Sequence, residues 1–239
     1  QVLPLEKLGL PSRSPFGTLA SRQRLFEDPA RVAGVRSYSS GDSQRTIHWK
    51  ASARENALLV KKFQPAIALN VALVLDLNRD AYPYRGEIGF SEWAIVVAAS
   101  LASHLTGQRQ AVGLMSNGLD SVSAQPLLPI PARTGQGHLM NILSTLARAE
   151  MDRSNTQLAD WLPKQLVGME WGATIILVTP KVTDTTLWAL HHAYRRGSNV
   201  VALVCAPQPD FDQMQSQSKK LGVQLHKTVW ERDLAALQG

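Results

Sequence analysis

Asp76, Asn78 and Asp80 stand at alternate positions just after the apolar run LNVALVL. Oxygen donors two residues apart at the mouth of a strand can offer two carboxylates and an amide oxygen to one point. That is the chemistry of a hard divalent cation such as Mg2+, with hydroxyls from neighbouring loops, Thr134 and Thr179, able to complete the set. The plainer alternative is that Asp76 accepts loop N–H groups while Asn78 and Asp80 face water.

A second concentration of chemistry is SYSSGDSQRTIHWKASAR, residues 37–54. Three readings compete for it. As a catalytic loop it is weakest, because His48 and Asp42 come with no nucleophile and matching base at a defined spacing. As a nucleic-acid-binding module it offers Arg36, Arg45, Lys50, Arg54, Lys61 and Lys62 but little aromatic surface for stacking. As a structural clamp it makes physical sense. Ile47 and Trp49 can bury against a sheet edge or a helix. Asp42 can cap a short helix running through Trp49 and Ala53 and pair with Arg45 or Arg54. Arg45, Lys50 and Arg54 then share one flank as a partner-binding edge. The clamp predicts that Trp49→Ala mainly lowers stability, while Lys50→Glu spares the fold and weakens a partner.

Other signatures of enzymes are missing. DLNRDAYPYRGE, after the first apolar run, has neither G-x-G-x-x-G nor G-K-[ST], and no G-x-S-x-G elbow occurs. His191 and His192 are neighbours that point about 100° apart on a helix, so they cannot serve one site together. Cys205 is the single cysteine, set in NVVALVCAP, where we expect an inert buried thiol. We therefore expect no enzymatic activity and no cofactor, Mg2+ at the Asp76 cluster being the one candidate ion. A metal-dependent hydrolase using Asp76 and Asp80 is the alternative.

The 239 residues suit one large α/β domain with an extension, at 44% hydrophobic and 18% charged. No apolar run approaches the roughly 18 residues of a membrane span, and we expect no signal peptide. The chain starts with Gln1, so we expect a fragment of a longer protein. The net charge of +6 is not spread evenly. Residues 1–70 hold 11 Lys and Arg against 5 Asp and Glu, and the remainder holds 14 of each. A basic segment of this kind meets phosphate, anionic headgroups or an acidic protein face.

The elements that must position these residues alternate. Pro4, Pro11, Pro15 and Pro29 make residues 1–35 an extended, turn-rich lead. ALLVKKFQ reads as a strand. From residue 69 the pattern becomes strand LNVALVLDL, helix EIGFSEWAIVVAASLASHLTG, strand QAVGLMS, and a Pro-rich connection AQPLLPIPARTG. Helices at about 135–149 and 156–167 follow, then strand ATIILVTP. Helix TDTTLWALHHAYRRG is capped at Thr183 or Asp184, and strand NVVALVCA comes next. Helix FDQMQSQSKKLG, strand VQLHKTV and an amphipathic stretch from Trp230 close the chain. Doubly buried strands alternating with helices predict a mostly parallel, doubly wound α/β sheet over residues 66–239, preceded by an extended basic segment over 1–65.

One stretch is also the signature of a family. EDPARVAGVRSYSSGDSQRTIHWKASARENALLVKKF followed by LVLDL closely resembles the bacterial proteins called domain of unknown function 58. The match runs through Tyr38, Gly41, Asp42, Arg45, Ile47, His48, Trp49, Lys50, Ala53 and Arg54. LGLPSRSPFGTLASRQRLFEDP and GQGHLMNILSTLARAE look like that family too. The resemblance implies a von Willebrand factor type A-like domain and transmembrane helices ahead of this region. It also implies a cytoplasmic position at a bacterial inner membrane and a MoxR-type AAA+ ATPase, or that ATPase's client, as partner. No enzymatic activity is implied, and the sparse aromatic residues of the basic segment lead us to expect no nucleic acid. Type A domains hold a metal through Asp-x-Ser-x-Ser with a Thr and an Asp from later loops. The corresponding residues here are Asp76, Asn78 and Asp80 with Thr134 and Asp184. Both serines are replaced, and Arg79 adds a cation beside the position.

Overall fold

The computed structural model describes residues 27–39, 47–55, 57–65, 70–153, 157–169 and 172–236. The chain divides into two compact units, one of Pro15–Ala68 and a larger one containing Leu69–Gly239.

In the smaller unit, β1 (Glu27–Ser37) pairs antiparallel with β2 (Leu59–Pro65), and α1 (Trp49–Glu55) lies between them in sequence. Most of β1 lies in what reads as a turn-rich lead. Pro29 has no N–H for a ladder, and the register breaks between Asp28 and Gly34, so the strand is irregular where the sequence argues against one.

The larger unit begins with β3 (Val71–Leu75) and α2 (Glu87–Gly107), followed by β4 (Val112–Ser116), β5 (Leu119–Asp120) and β6 (Ile130–Arg133). Next come α3 (Gln136–Leu146), β7 (Ala149–Glu150), α4 (Leu158–Gln165), β8 (Thr174–Thr179) and α5 (Asp184–Arg195). β9 (Asn199–Val204), α6 (Phe211–Lys220), β10 (Gln224–Lys227) and α7 (Glu231–Ala236) complete it. Short β5 and β7 pair with each other outside the main sheet.

The main sheet runs β10-β9-β8-β3-β4-β6, parallel except for β6, which is antiparallel to β4. Counted along the chain, its strands stand in the order 3-2-1-4-5-6, the doubly wound order, whose switch point lies between β3 and β8. Every residue of β3 and β8 is buried, as continuous apolar runs in a covered parallel sheet require. Alternate side chains feed two cores. Leu73, Leu75, Ile176 and Val178 pack with Val97, Leu101 and Leu105 of α2 on one face. Val74, Ile175 and Leu177 pack with Leu162 of α4 and Leu187 and Leu190 of α5 on the other.

Helix α2 is long and apolar enough to cross a membrane by length and composition, yet it serves here as a core helix. Strand β6 lies inside the stretch that reads as a Pro-rich connection. It stands at the sheet edge, where Pro131 costs the least ladder pairing. The cap of α5 is Thr183, whose hydroxyl accepts from the Thr186 N–H.

Candidate functional site

Asp76 directly follows β3 at the switch point, and the ends of β4 and β8 close over it. Asp76 is 1% exposed. Its Oδ1 accepts from Asn117 Nδ2 at 2.8 Å and from the Asn78 N–H at 3.2 Å. Its Oδ2 accepts from Thr179 Oγ1 at 2.8 Å. Asn117 Oδ1 in turn accepts from the Leu77 N–H, and Tyr82 Oη donates to the Asp76 carbonyl at 2.7 Å. One side chain thus ties the ends of β3, β4 and β8 together.

Burial pushes the Asp76 carboxyl above its usual range, against the opposing pull of the Asn117 and Thr179 hydrogen bonds. Proton bookkeeping points the same way. Thr179 Oγ1 has one proton and faces two acceptors, Asp76 Oδ2 and the Lys181 carbonyl at 2.9 Å. If Asp76 is neutral, the direction at Oδ2 reverses: the carboxyl donates to Thr179, which then gives its own proton to the Lys181 carbonyl, and every acceptor is served. An ionised Asp76 leaves one acceptor short. Behind this network Cys205 is fully buried, and burial drives its thiol up, as befits an inert core cysteine.

Asp76, Asn78 and Asp80 line one small cleft of about 60 Å3, with Lys181, Thr183, Thr185 and Thr186 opposite. The spacing therefore brings these three together. Asp184 lies beside them, lining a neighbouring cleft of about 390 Å3 with Lys181, Gln208 and Asp210. Thr134 does not join them. It follows Arg133, which pairs with Val112, the first residue of β4, itself aligned with Val71, the first of β3. Thr134 therefore sits a strand's length away, about 16 Å, at the amino end of the sheet. The antiparallel direction of β6 puts it there.

Two of the three oxygen donors Asp76, Asn78 and Asp80 are engaged within the protein. Asp76 is engaged by protein donors at both oxygens, and Asn78 Oδ1 caps the Asp80 N–H at 3.1 Å. Lys181 brings an ammonium to the same cleft. Arg79 is not turned on the cluster but pairs with Glu87 in the first turn of α2, which holds the Glu87 carboxyl below its usual range. Among the described residues, no group of three or more His, Cys, Asp and Glu side chains is placed to hold a metal.

In the smaller unit the motif residues divide. Gly41, Asp42 and Arg45 lie outside the described residues. Tyr38 and His48 join the ladder through backbone bonds, Tyr38 N–H to Leu58 O and His48 N–H to Leu59 O. Ile47 is buried and bridges Val60. His48 Nδ1 accepts from the Ala51 N–H at the start of α1, which fixes the Nε2–H tautomer. Ser52 is buried, accepts from the Leu59 N–H at 2.9 Å and contacts the His48 carbonyl at 3.1 Å.

Trp49 corrects the clamp as expected from sequence, for it is 66% exposed rather than buried. It opens α1 with its ring in solvent, so the clamp is Ile47, His48 and Ser52. Lys50 and Arg54 are exposed as well. The sequence reading passed over Ser52, Asn117 and Tyr82. Only Asn117, in Ser116-Asn117-Gly118 at the end of an apolar run, carried a local signal, that of a turn.

Fold and site together define a doubly wound α/β protein whose switch-point carboxylate is sealed by its own loops. The chain matches the family described as "Protein of unknown function DUF58" over residues 34–207 and belongs to that family. It is 27% identical over 191 residues to the uncharacterised protein YeaD of Bacillus subtilis (strain 168). That match takes in 78% of this chain but only 42% of the relative's length. Among solved structures it is similar to an aerotolerance-related membrane protein from Bacteroides fragilis NCTC 9343, with a TM-score of 0.47 and 13% identity. Coverage there is 71% of this chain and 94% of the other. It is also similar to proximal thread matrix protein 1 of the mussel byssus, with a TM-score of 0.44, 10% identity, and coverage of 71% and 46%.

Proposed function

We propose that this chain is a non-enzymatic protein-interaction domain with a von Willebrand factor type A-like α/β unit. A segment outside this sequence holds it at the cytoplasmic side of a bacterial inner membrane. It works with a MoxR-type AAA+ ATPase, or that ATPase's client, in assembling or maturing other proteins. The strand order with an antiparallel third strand supports the type A-like reading. The sealed state of Asp76 supports a role without chemistry and without a resident cofactor.

The observation that carries the interaction reading is helix α1. Ile47, His48 and Ser52 fix it from behind, while Trp49, Lys50 and Arg54 are exposed. Tryptophan and arginine dominate the residues that carry binding energy at protein interfaces, and a helix already held in place loses little entropy on docking. Arg45 belongs to the same motif and lies outside the described residues.

Co-purification with the MoxR-type ATPase, at low salt and with nucleotide present, tests the proposal. Wild type is expected to be retained. Trp49→Ala is expected to weaken retention by about thirtyfold, the size of a 2 kcal/mol anchor. Its unfolding midpoint should stay within about 0.5 kcal/mol of wild type, as for an exposed side chain. Lys50→Glu is expected to weaken binding less and to make it less sensitive to added salt, because an attractive charge is lost. No association under these conditions would count decisively against the reading, as would a Trp49→Ala protein that is destabilised and still binds.

A further inference from the structure

We infer that the end of the α/β unit opposite Asp76 is a docking face for an anionic bilayer surface. The inference stands on charge placement. Helices α2, α4, α5 and α6 all start at the carboxyl end of the sheet and finish at the amino end, and the loops there carry cations. Across the sheet these are Lys219 and Lys220 before β10, Arg195 and Arg196 before β9, Lys164 in the last turn of α4, Arg109 before β4, and Arg133 at the end of β6. All seven are exposed. Every described acidic residue of the unit instead lies at the carboxyl end, in a loop, in the short β5–β7 pair, or in the first two turns of a helix that begins there. The ion pairs among described residues of this unit, Arg79–Glu87, Arg148–Asp120 and Arg232–Asp233, are at that far end as well. Residues 71–239 carry no net charge, yet their charges are strongly polarised.

The ordinary explanation is that cations complement helix C-termini. Its magnitude is too small. Each helix end carries roughly half a charge, so four C-termini and the start of α3 place about −1.5 at this face. Seven cations exceed that by about five charges.

The layout selects the occupant. Six strands spaced about 4.8 Å apart spread the cations over about 24 Å in a row, rather than gathering them in a notch. Tyr194 is the one exposed aromatic side chain among the described residues at this end, so bases find no stacking platform. Val167, 72% exposed, adds an apolar contact suited to the headgroup boundary. Each cation close to an anionic leaflet raises partitioning by about fivefold.

Co-sedimentation of the 239-residue chain with phosphatidylcholine vesicles, with and without about 30% phosphatidylglycerol, tests this without any protein partner, so it succeeds or fails independently of the ATPase reading. Binding is expected only with the anionic lipid. Arg195→Glu/Arg196→Glu/Lys219→Glu/Lys220→Glu is expected to lose more than about tenfold, and to melt as wild type does. Arg109→Glu/Arg133→Glu, on the other side of the sheet, should show a smaller loss and gives the answer if the first variant fails to fold. Equal binding to neutral vesicles overturns the inference, as does wild-type binding by both variants. So does charge-reversal-sensitive binding to duplex DNA, or charge-reversal-sensitive self-association in sedimentation velocity, in the absence of vesicle binding.

Discussion

Asp76→Ala is expected to destabilise the α/β unit by about 3 kcal/mol or more, whereas Asp76→Asn stays within about 1 kcal/mol of wild type. The alanine leaves the Asn117 amide and the Asn78 N–H with no acceptor in a buried site, and takes from Thr179 one of its two partners, so each orphaned group costs its desolvation. Asparagine fits the network as a neutral aspartic acid does. Its Oδ1 accepts from Asn117 and Asn78. Its Nδ2 donates to Thr179, which then donates to the Lys181 carbonyl.

The pH dependence follows from the same site. Burial raises the folded pKa of Asp76 above 3.8, so the folded state holds this proton more tightly than the unfolded state. The stability it contributes is complete below the unfolded value and declines as pH rises through the folded value. Asp76→Asn removes that decline and should gain on wild type as pH rises above about 4. Glu87 and Asp120, whose pKa values are lowered, tilt the curve the other way, but equally in both proteins, so the comparison isolates Asp76. Urea unfolding at several pH values provides the check. If Asp76→Asn is as damaging as Asp76→Ala at every pH, the carboxylate is needed as an anion and the keystone account fails.

Gly113→Val is expected to cost about 3 kcal/mol and to release the edge strand β6. A Cβ at Gly113 would stand 2.8 Å from the Ile130 carbonyl oxygen and 2.9 Å from the Ala132 nitrogen. Both are backbone atoms of β6, where the β4–β6 register already shifts between Val112 and Leu114. A side chain there cannot turn aside, so the strand must move, uncovering Ile130 and Leu127 of the core. Gly137 in the first turn of α3 is the control. A Cβ there meets nothing within 4 Å, and Gly137→Ala should stabilise by up to about 1 kcal/mol. Amide exchange reads the result directly, since Val112 and Leu114 should lose protection in Gly113→Val and keep it in Gly137→Ala.

Much of this fold is legible in the residues. The limits of α2, Glu87–Gly107, are those its apolar pattern and Gly107 suggest, and the runs around β3, β8 and β9 could only be strands of a covered parallel sheet. What escapes is held by long-range pairing rather than local preference. Strand β6 contains a proline, β5 and β7 are two residues each, and β1 contains Pro29. All exist because a neighbour supplies the ladder.

The site divides in the same way. Asp76 is visible as the carboxylate that leaves the first apolar strand. Its partners are not, since Asn117 lies 41 residues away and Thr179 103 away. A spacing of oxygen donors suits a cation and a self-sealed network equally, and only the donors that fill it decide between them. Trp49 misleads because a large aromatic residue in a dense motif is ordinarily core. Its exposure depends on Ile47 and Ser52 having taken the inward positions first.

Calorimetric titration of Mg2+ and Mn2+ into wild type and Asp76→Asn tests most directly whether Asp76 is committed to the fold. The account predicts no saturable heat in either protein and the same thermal midpoint with and without the ion. Tight, saturable binding to wild type that Asp76→Asn abolishes would contradict it, and would return the switch point to metal-dependent chemistry.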